Sequence, residues 1–426
     1  MNDDAIFRKC AWRLVPLILL LYLANRIDRV NVGFAALTMN KDLGFSPSVF
    51  GFGAGVFFLS YAPFQVPANL ILQRIGARRW VFFITLAWGL ISAATAFVRT
   101  PAGFYAVRFL LGLAEAGFFP GVIFYLTLWF PHVYRARLIA AFFTASPLAP
   151  IVAGPLSSVI LQMDGFAGLY GWQWVFVIEA LPACVLAFVT IKFLPDNPAR
   201  ASFLSETEKT AVLGRLSREA SGAQHDLWRA LCDPRVLVLG LIYLGFEIGN
   251  AGIVFWLPQI VQGMGFSNFA TGFVVVLPSL AAIAAMLLWS RSSDARGERI
   301  WHLVAAFALG AAGFVLAGLA PSDAVVFAGL TLAWLGLQSA FAVLFSVPSA
   351  FLSGTAAAGG IALVSSIGIT GGFFGPTIMG VLKQYTGGYS AGMMVLALGS
   401  LMSLTLVLAL GRAMAPRERP VPEVAE

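Results

Sequence analysis

Long apolar stretches alternate with short polar connections along nearly the whole chain. Twelve of these stretches approach or exceed the roughly 20 residues that a helix needs to cross the hydrocarbon core of a bilayer. The pattern predicts an all-α integral membrane protein with twelve transmembrane helices, six in each half of the chain. The predicted spans are residues 11–35, 49–72, 80–98, 103–130, 138–163, 172–193, 236–261, 271–289, 301–320, 324–351, 356–382 and 391–410.

One polar stretch, residues 195–234, is much longer than the other connections and separates the two sets of six spans. It contains Ser205-Glu206-Thr207-Glu208, which is typical of a helix start. We therefore predict a cytoplasmic linker with one amphipathic helix. It would join an N-terminal six-helix bundle, residues 1–194, to a C-terminal bundle with a short cytoplasmic tail, residues 235–426.

A short motif after the second span recurs after the eighth. Residues 75–80 read Ile-Gly-Ala-Arg-Arg-Trp, and residues 296–301 read Arg-Gly-Glu-Arg-Ile-Trp, with Gly, Arg and Trp at one offset. Such a repeat indicates two pseudo-symmetric halves that enclose a central cavity, a plan used by secondary transporters.

Basic residues are distributed unevenly between the two sets of connections. One set, with both tails, holds most of the Lys and Arg, whereas the other holds only Lys41, Arg99 and Lys383. Because cytoplasmic loops carry the excess of basic residues, both termini are expected in the cytoplasm. The bias towards Ala, Gly, Leu and Arg favours a bacterial inner (plasma) membrane. The net charge of +7 then reflects membrane orientation, and we expect no binding of nucleic acid.

Composition excludes several classes of protein. Charged residues are 11 % of the chain and apolar residues 59 %, whereas an average soluble domain carries roughly 25 % charged residues; a soluble enzyme is therefore excluded. The few Cys and His residues are scattered, so neither a metal site nor a redox motif is expected. No phosphate-binding loop motif for ATP is present. We expect no cofactor, and nothing in the sequence requires more than a monomer.

Several segments carry a family resemblance. They are residues 69–79 (Asn-Leu-Ile-Leu-Gln-Arg-Ile-Gly-Ala-Arg-Arg), 28–35 (Asp-Arg-Val-Asn-Val-Gly-Phe-Ala), 108–116 (Arg-Phe-Leu-Leu-Gly-Leu-Ala-Glu-Ala), 171–182 (Gly-Trp-Gln-Trp-Val-Phe-Val-Ile-Glu-Ala-Leu-Pro), 255–258 (Phe-Trp-Leu-Pro) and 351–354 (Phe-Leu-Ser-Gly). The chain resembles the major facilitator superfamily and, within it, the anion:cation symporter family. That family includes permeases for sugar acids, tartrate, phthalate and hydroxyphenylacetate.

The first and fourth predicted spans contain charged residues that need partners. Arg26, Asp28 and Arg29 lie in the first span, and Arg108 and Glu115 lie on one face of the fourth. Each charge that faced lipid at mid-membrane would cost about 2.5–3.5 kcal/mol. We therefore expect Asp28, Arg29, Arg108 and Glu115 to meet at one cavity. The alternative is a structural ion-pair network that seals the N-terminal bundle.

These residue types suit transport of an organic anion together with protons. A guanidinium binds a carboxylate through two parallel hydrogen bonds, and a buried carboxyl group can take up and release protons. The resemblance implies the same division: Asp28 and Glu115 in proton coupling, and Arg29 and Arg108 in gating and substrate binding. Arg26 adds a third cation, which favours a di- or polycarboxylate, unless it pairs with an acid such as Glu247.

Further polar residues are weaker candidates. Glu247 is a second proton site, an acceptor for a substrate hydroxyl, or a satisfied polar contact; Glu179 is expected in a structural or gating pair near the cytoplasmic side of the N-terminal bundle. Ile369 replaces an Asn that is common in the resembling carriers. The other candidates are, for the cavity, Asn250, Ser365, Ser366 and Thr370, and, for gating or structure, Arg74, Gly76, Arg78, Asp294, Gly297 and Arg299.

Together these features predict proton-coupled symport of a small organic anion, such as tartrate, another hydroxy dicarboxylate or a sugar acid, by alternating access. An exchanger or uniporter of the same fold is the nearest alternative. Export of cationic drugs fits poorly, because three arginines in the cavity would repel a cation. A membrane anion sensor would need a signalling domain, which neither the linker nor the tail offers. An integral membrane enzyme would need a cluster of catalytic groups, and no His or Cys lies near another.

Overall fold

The computed structural model describes residues 3–220, 233–348 and 354–414, and the regular elements in these ranges are helical. In chain order the α-helices are α1 (Asp3–Asp42), α2 (Pro47–Ile75), α3 (Ala77–Ala94), α4 (Pro101–Glu115), α5 (Phe118–Trp129), α6 (His132–Ile160), α7 (Gly171–Phe193), α8 (Glu206–Ala220), α9 (Pro234–Gly263), α10 (Asn268–Val274), α11 (Val276–Arg296), α12 (Ile300–Leu319), α13 (Asp323–Leu344), α14 (Gly354–Ile369), α15 (Gly371–Thr386) and α16 (Ser390–Met414).

The helices confirm the predicted twelve-span architecture. Within the described residues, ten helical segments are long and apolar enough to cross a membrane. The other two predicted spans lie on α1, which is 40 residues long and carries charges along its length, and on α6, of which Pro147–Met163 is an apolar helical stretch among the described residues. Residues 349–351 of the predicted tenth span lie outside the described residues.

The predicted fourth and eighth spans are each interrupted. The fourth consists of α4 and α5, with Ala116 and Gly117 between them, and the eighth consists of α10 and α11, which meet at Val275. Pro120 and Pro278 follow these breaks. A proline cannot donate to the carbonyl four residues earlier, which here belongs to Ala116 or to Val274. The breaks therefore have a local cause in the sequence.

The helices form two bundles. In the N-terminal half, α1 packs on α6 and α7, α2 on α4, and α3 on α7. In the C-terminal half, α9 packs on α14, α15 and α16, and α12 packs on α13 and α16. The starts of α1 and α9 and the ends of α7 and α16 lie on one side, which we name the terminal face. The connections at residues 43–46, 164–170, 264–267 and 387–389 lie on the other side, the opposite face.

The long connection contains the helix that the sequence predicts. At the start of α8, the Ser205 backbone N–H donates to Oε2 of Glu208 (2.8 Å), and the Glu208 N–H donates to Oγ of Ser205 (3.3 Å). This capping box fixes the first turn. Lys9 of α1 forms an ion pair with Glu208 (2.9 Å), so α8 lies against the N-terminal half. Residues 221–232 lie outside the described part of the linker.

The two halves meet near the opposite face through a contact that we name the glycine seam, formed by α2 against α15 and α1 against α9. A Cβ atom built on Gly51 would lie 3.0 Å from the Cα of Gly380, and one on Gly33 would lie 3.3 Å from the carbonyl oxygen of Phe255. Such backbone approach requires glycine. Hydrogen bonds at the edge of the seam join Asn40 to Gln259 (3.3 Å). The halves are therefore closed at the opposite face.

Candidate functional site

A cavity lies between the two halves, next to the glycine seam. Both bundles contribute charged or amide side chains to its wall, together with aromatic rings. The lining residues used below are Arg26, Arg29, Phe58, Glu247, Asn250, Phe255, Trp334, Gln338 and Ile369. A mixed polar and aromatic cavity at the interface of two bundles is the arrangement expected of a small-molecule site.

Arg29 and Glu115 form a buried ion pair beside this cavity. Nη2 of Arg29 lies 2.7 Å from Oε2 of Glu115, and Nε lies 3.3 Å from the same oxygen. Their side chains are 7 % and 0 % exposed. The guanidinium also stacks over the rings of Phe57 (4.8 Å) and Tyr61 (4.6 Å). Since Arg29 lines the cavity, its ion pair with Glu115 lies at the cavity wall.

Arg108 lies beside the same ring of Phe57 and lacks a full set of hydrogen-bond partners. Its guanidinium is 5.1 Å from the ring centre of Phe57 and 5.9 Å from that of Phe255, which belongs to the C-terminal half. The residue is 1 % exposed, and its Nε and Nη2 atoms have no hydrogen-bond partner among the residues described. Unsatisfied buried donors are costly. An anion at the interface would satisfy them.

Asp28 has a different environment from the one expected. Its Oδ1 accepts a hydrogen bond from Ser92 of α3 (2.7 Å), and the residue is fully buried. The structure thus groups Arg29, Glu115 and Arg108 around Phe57, and it directs the Asp28 carboxylate towards α3.

Arg26 lines the cavity but does not pair with Glu247. Its Nη2 and Nε donate to the hydroxyl of Tyr22, one turn earlier on α1, at 2.6 and 2.9 Å. This contact leaves the guanidinium positively charged, since the phenol supplies an acceptor but no opposite charge. The cavity therefore receives two cations, Arg26 and Arg29, from α1 alone.

The wall from the C-terminal half carries a chain of hydrogen bonds. Glu247 accepts from the Tyr243 hydroxyl (2.8 Å) and from the side-chain amide of Asn250 (3.2 Å). Asn250 in turn accepts from the amide of Gln338 on α13 (3.2 Å). Sequence reasoning missed Gln338, although a polar side chain within an apolar span is itself a signal for a cavity position.

The serine and threonine candidates lie less directly at the cavity. Ser365 and Ser366 are half-buried on α14, and the hydroxyl of Thr370 donates to the carbonyl of Ile367 (2.6 Å). In this region the side chain that lines the cavity is Ile369. The wall here is apolar, which agrees with the replacement of the usual Asn.

The prediction that Glu179 lies near the terminal-face side of the N-terminal bundle is wrong. Helix α7 begins at the opposite face with Gly171, and Glu179 is closer to this end than to Phe193. The side chain is buried inside the bundle, where Ser157 donates to its Oε1 (2.5 Å). The error arose because the position was taken from the motif around Glu179 and not from its place in the sixth span, which ends at the predicted cytoplasmic linker and has Glu179 nearer its other end.

The loop around Gly76, which belongs to the repeated motif at residues 75–80, is held by an acid that sequence reasoning missed. Gly76 has φ +87°, a conformation that favours glycine. Beside it, Asp196 accepts from the backbone N–H of Arg78 (3.0 Å) and pairs with Arg200 (3.3 Å). The guanidinium of Arg78 also donates to the carbonyl of Ile191. The loop is thereby tied to the start of the linker. Arg74, exposed, lines the surface groove at this site.

The equivalent loop in the C-terminal half is held differently. Gly297 has φ +62°, and Arg299 pairs with Asp294 (2.6 Å) and donates to Ser293 (2.8 Å). Glu298 accepts from the backbone N–H of Trp301 (2.7 Å). Partial burial raises the pKa of Glu298, but hydrogen bonds from Trp301 and His302 outweigh it and hold that pKa below its usual value.

Comparison with known proteins identifies the architecture. Residues 18–358 match the family described as Major Facilitator Superfamily. A protein of Agrobacterium vitis named "Putative tartrate transporter" is 46 % identical over 403 residues, covering 93 % of each chain. A "Quinolone resistance transporter" of Acinetobacter baumannii is 41 % identical over 403 residues, covering 93 % of this chain and 92 % of the relative.

A solved structure shares the fold at low sequence identity. It is a bacterial homologue of the human lysosomal transporter Spinster in an inward-facing and occupied conformation. The TM-score is 0.77 at 15 % identity, and the match covers 96 % of this chain and 98 % of the other.

Proposed function

The chain belongs to the Major Facilitator Superfamily and is a membrane transporter rather than an enzyme, and we propose that it moves a small organic anion together with protons. The observation that carries this proposal is that two features occur together at the interface of the halves. One is the buried Arg29–Glu115 ion pair, and the other is the guanidinium of Arg108, of which Nε and Nη2 have no hydrogen-bond partner among the residues described. A bound anion would accept hydrogen bonds from the unpartnered nitrogens of Arg108. Protonation of Glu115 would release the guanidinium of Arg29 from its ion pair.

The coupling follows from the competition for Arg29. When Glu115 is ionised, it occupies the guanidinium through the 2.7 Å contact. When Glu115 is protonated, that attraction is lost and the guanidinium is free to bind a substrate carboxylate bidentately. Arg108, beside the same ring of Phe57, would also hold the substrate. Asp28, whose Oδ1 accepts a hydrogen bond from Ser92, serves as the second proton site.

The substrate class follows from the two walls. Arg26 and Arg29 favour a dicarboxylate, and the Glu247–Asn250–Gln338 chain offers oxygen and amide groups to substrate hydroxyls. A hydroxylated dicarboxylate such as tartrate, or a sugar acid, fits both walls. The name of the Agrobacterium vitis relative agrees with tartrate. The Acinetobacter baumannii relative has a different name at similar sequence identity. Sequence identity to named relatives therefore does not decide the substrate, and the choice of an anion rests on the arginines of the cavity.

Alternating access and orientation complete the proposal. The excess of basic residues in the connections of the terminal face favours its location in the cytoplasm, and the chain would act as a monomer in the inner membrane of a bacterium. With this orientation, closure of the opposite face by the glycine seam corresponds to an inward-facing conformation. Separation of the halves at the seam, with closure at the terminal face, would expose the same cavity to the outside.

The test is uptake into proteoliposomes of labelled tartrate, galactonate, phthalate and hydroxyphenylacetate, with and without an inward proton gradient. We expect the gradient to drive accumulation of one anion. Asp28→Asn and Glu115→Gln should abolish accumulation, with counterflow retained in at least one of them, because exchange needs binding but no net proton movement.

Exchange of anions by the same fold is the second candidate, since the ion pair could also act as a purely structural seal. Accumulation that is unaffected by the gradient and by both substitutions would establish it and refute proton coupling. Binding of an anion without any uptake or counterflow would instead indicate a sensor.

A further inference from the structure

Lys383 is a basic residue near the opposite-face end of α15 and has an unusual environment. Its Nζ lies 4.2 Å from the ring centre of Tyr389 and 5.2 Å from that of Trp256, and it donates to the Tyr389 hydroxyl (2.5 Å). The side chain is half-buried. Among the residues described, no carboxylate forms an ion pair with it.

The two aromatic rings stabilise this ammonium only in part. A cation over an aromatic face is attracted by the electrons of the ring, and more strongly the further the cation is desolvated. The positive charge nevertheless stays uncompensated, because rings and a phenol bring no opposite charge. A lysine needed only for solubility would extend into water, where its hydration is complete. Here the contacts with Tyr389 and Trp256 hold the ammonium of Lys383 in one position, where its charge can attract an anion.

The lysine site shares a wall with the glycine seam. Trp256 of α9 contacts Phe50 of the N-terminal half edge to face, with 5.0 Å between ring centres, and its indole N–H donates to the carbonyl of Pro376 (3.1 Å). On α15, Lys383 follows Gly380 by about one turn, and Gly380 is the residue that meets Gly51. The ammonium therefore lies at the margin of the seam.

Opening of the seam would change the surroundings of Lys383 directly. Phe50 moves with the N-terminal half, whereas Trp256, Tyr389 and Lys383 all belong to the C-terminal half. Separation at the opposite face would withdraw Phe50 from Trp256 and leave the lysine site on the wall of the opened entrance. An anion that enters from this side would pass it before it reaches Arg29.

We propose that Lys383, with Trp256 and Tyr389, forms an outer binding site for the carboxylate group of the transported anion, separate from the Arg29 and Arg108 site. This inference rests on the proposed transport of an organic anion. The ammonium contributes a charged hydrogen bond, and the Tyr389 hydroxyl beside it can donate to the same carboxylate. The site captures the anion while the seam is open, and closure of the seam passes the anion inward.

The experiment compares Lys383→Gln and Lys383→Arg with the wild type in labelled-anion uptake, using tartrate, galactonate, phthalate and hydroxyphenylacetate and then the best transported of these. Right-side-out membrane vesicles present the anion to the opposite face, and inside-out vesicles present it to the terminal face. Arg99→Gln is the matched control, because Arg99 is an exposed basic residue at the same face.

For Lys383→Gln we expect KM in right-side-out vesicles to rise about tenfold or more, as for loss of a charged hydrogen bond, with kcat little changed. KM in inside-out vesicles should stay at the wild-type value. Lys383→Arg should restore most of the affinity, and Arg99→Gln should leave KM unchanged.

An unchanged KM in right-side-out vesicles, or an equal change in both vesicle types, would overturn the outer site and leave Lys383 a structural part of the seam. A wild-type protein that transports none of the four anions would overturn the proposed function itself. The two failures are therefore distinguishable.

Discussion

The Arg29–Glu115 pair makes a quantitative prediction about substrate affinity. The two charged groups are in direct contact, at 2.7 Å between Nη2 and Oε2, and nearly excluded from solvent. With charge centres about 4 Å apart and an effective dielectric constant of about 20, their attraction is about 4 kcal/mol. A substrate carboxylate that binds Arg29 must displace this interaction unless Glu115 is protonated.

Glu115→Gln imitates the protonated side chain. Glutamine keeps an acceptor for Arg29, so only part of the attraction is released, and we expect tartrate to bind about 10- to 100-fold more tightly than to the wild type at pH 8.

The assay is isothermal titration of purified protein in detergent with tartrate at pH 8. Glu179→Gln is the matched control: it also removes a buried carboxylate of the N-terminal half, but its described partner is Ser157 and not an arginine. It should keep the wild-type affinity for tartrate. Unchanged or weaker binding by Glu115→Gln would refute the competition for Arg29.

Two further predictions concern the seam and the loop at the terminal face. Gly51→Val should lower the uptake rate about tenfold or more, because overpacking the contact with Gly380 costs roughly 1–3 kcal/mol only when the seam is closed. An added Ser48→Cys would report opening of the seam through its rate of thiol labelling. Labelling should be faster in the Gly51→Val protein, and an unchanged rate would contradict the prediction. Glu298→Gln should lower Tm by about 1–2 °C at pH 7. Since the pKa of Glu298 is depressed in the folded state, its stabilisation is present above the usual value of about 4.3 and is lost as the pH falls through the depressed pKa. The difference in Tm measured by thermal shift should therefore shrink as the pH is lowered below that usual value.

The twelve spans were predictable because membrane insertion depends on local hydropathy. The breaks inside the fourth and eighth spans were missed, although Pro120 and Pro278 each signal one. A window that averages hydropathy over a span does not register a single missing backbone donor. The boundaries of α1 also exceed the predicted 11–35, because charged residues near the membrane surface extend a helix without making it more apolar.

The candidate site was predictable in its charges and not in its geometry. The cost of a charge in a membrane identifies Arg29 and Glu115 as residues that need partners. It does not say that Asp28, one position away on the helix, turns towards Ser92. Likewise, Asp196 holds a loop more than a hundred residues earlier in the chain, and no local pattern records such a contact.

The glycine seam has a thermodynamic consequence for the speed of the transport cycle. Fixing a long side chain costs up to about 2 kcal/mol of rotamer entropy, whereas glycine has none to lose. At Gly33, which faces Phe255, and at Gly51, which faces Gly380, the helices can therefore separate and meet again with no loss of rotamer entropy at the glycines themselves. The glycine contacts of the seam therefore oppose opening only weakly. The polar contacts at its edge, such as that of Asn40 with Gln259, hold it closed between transport steps.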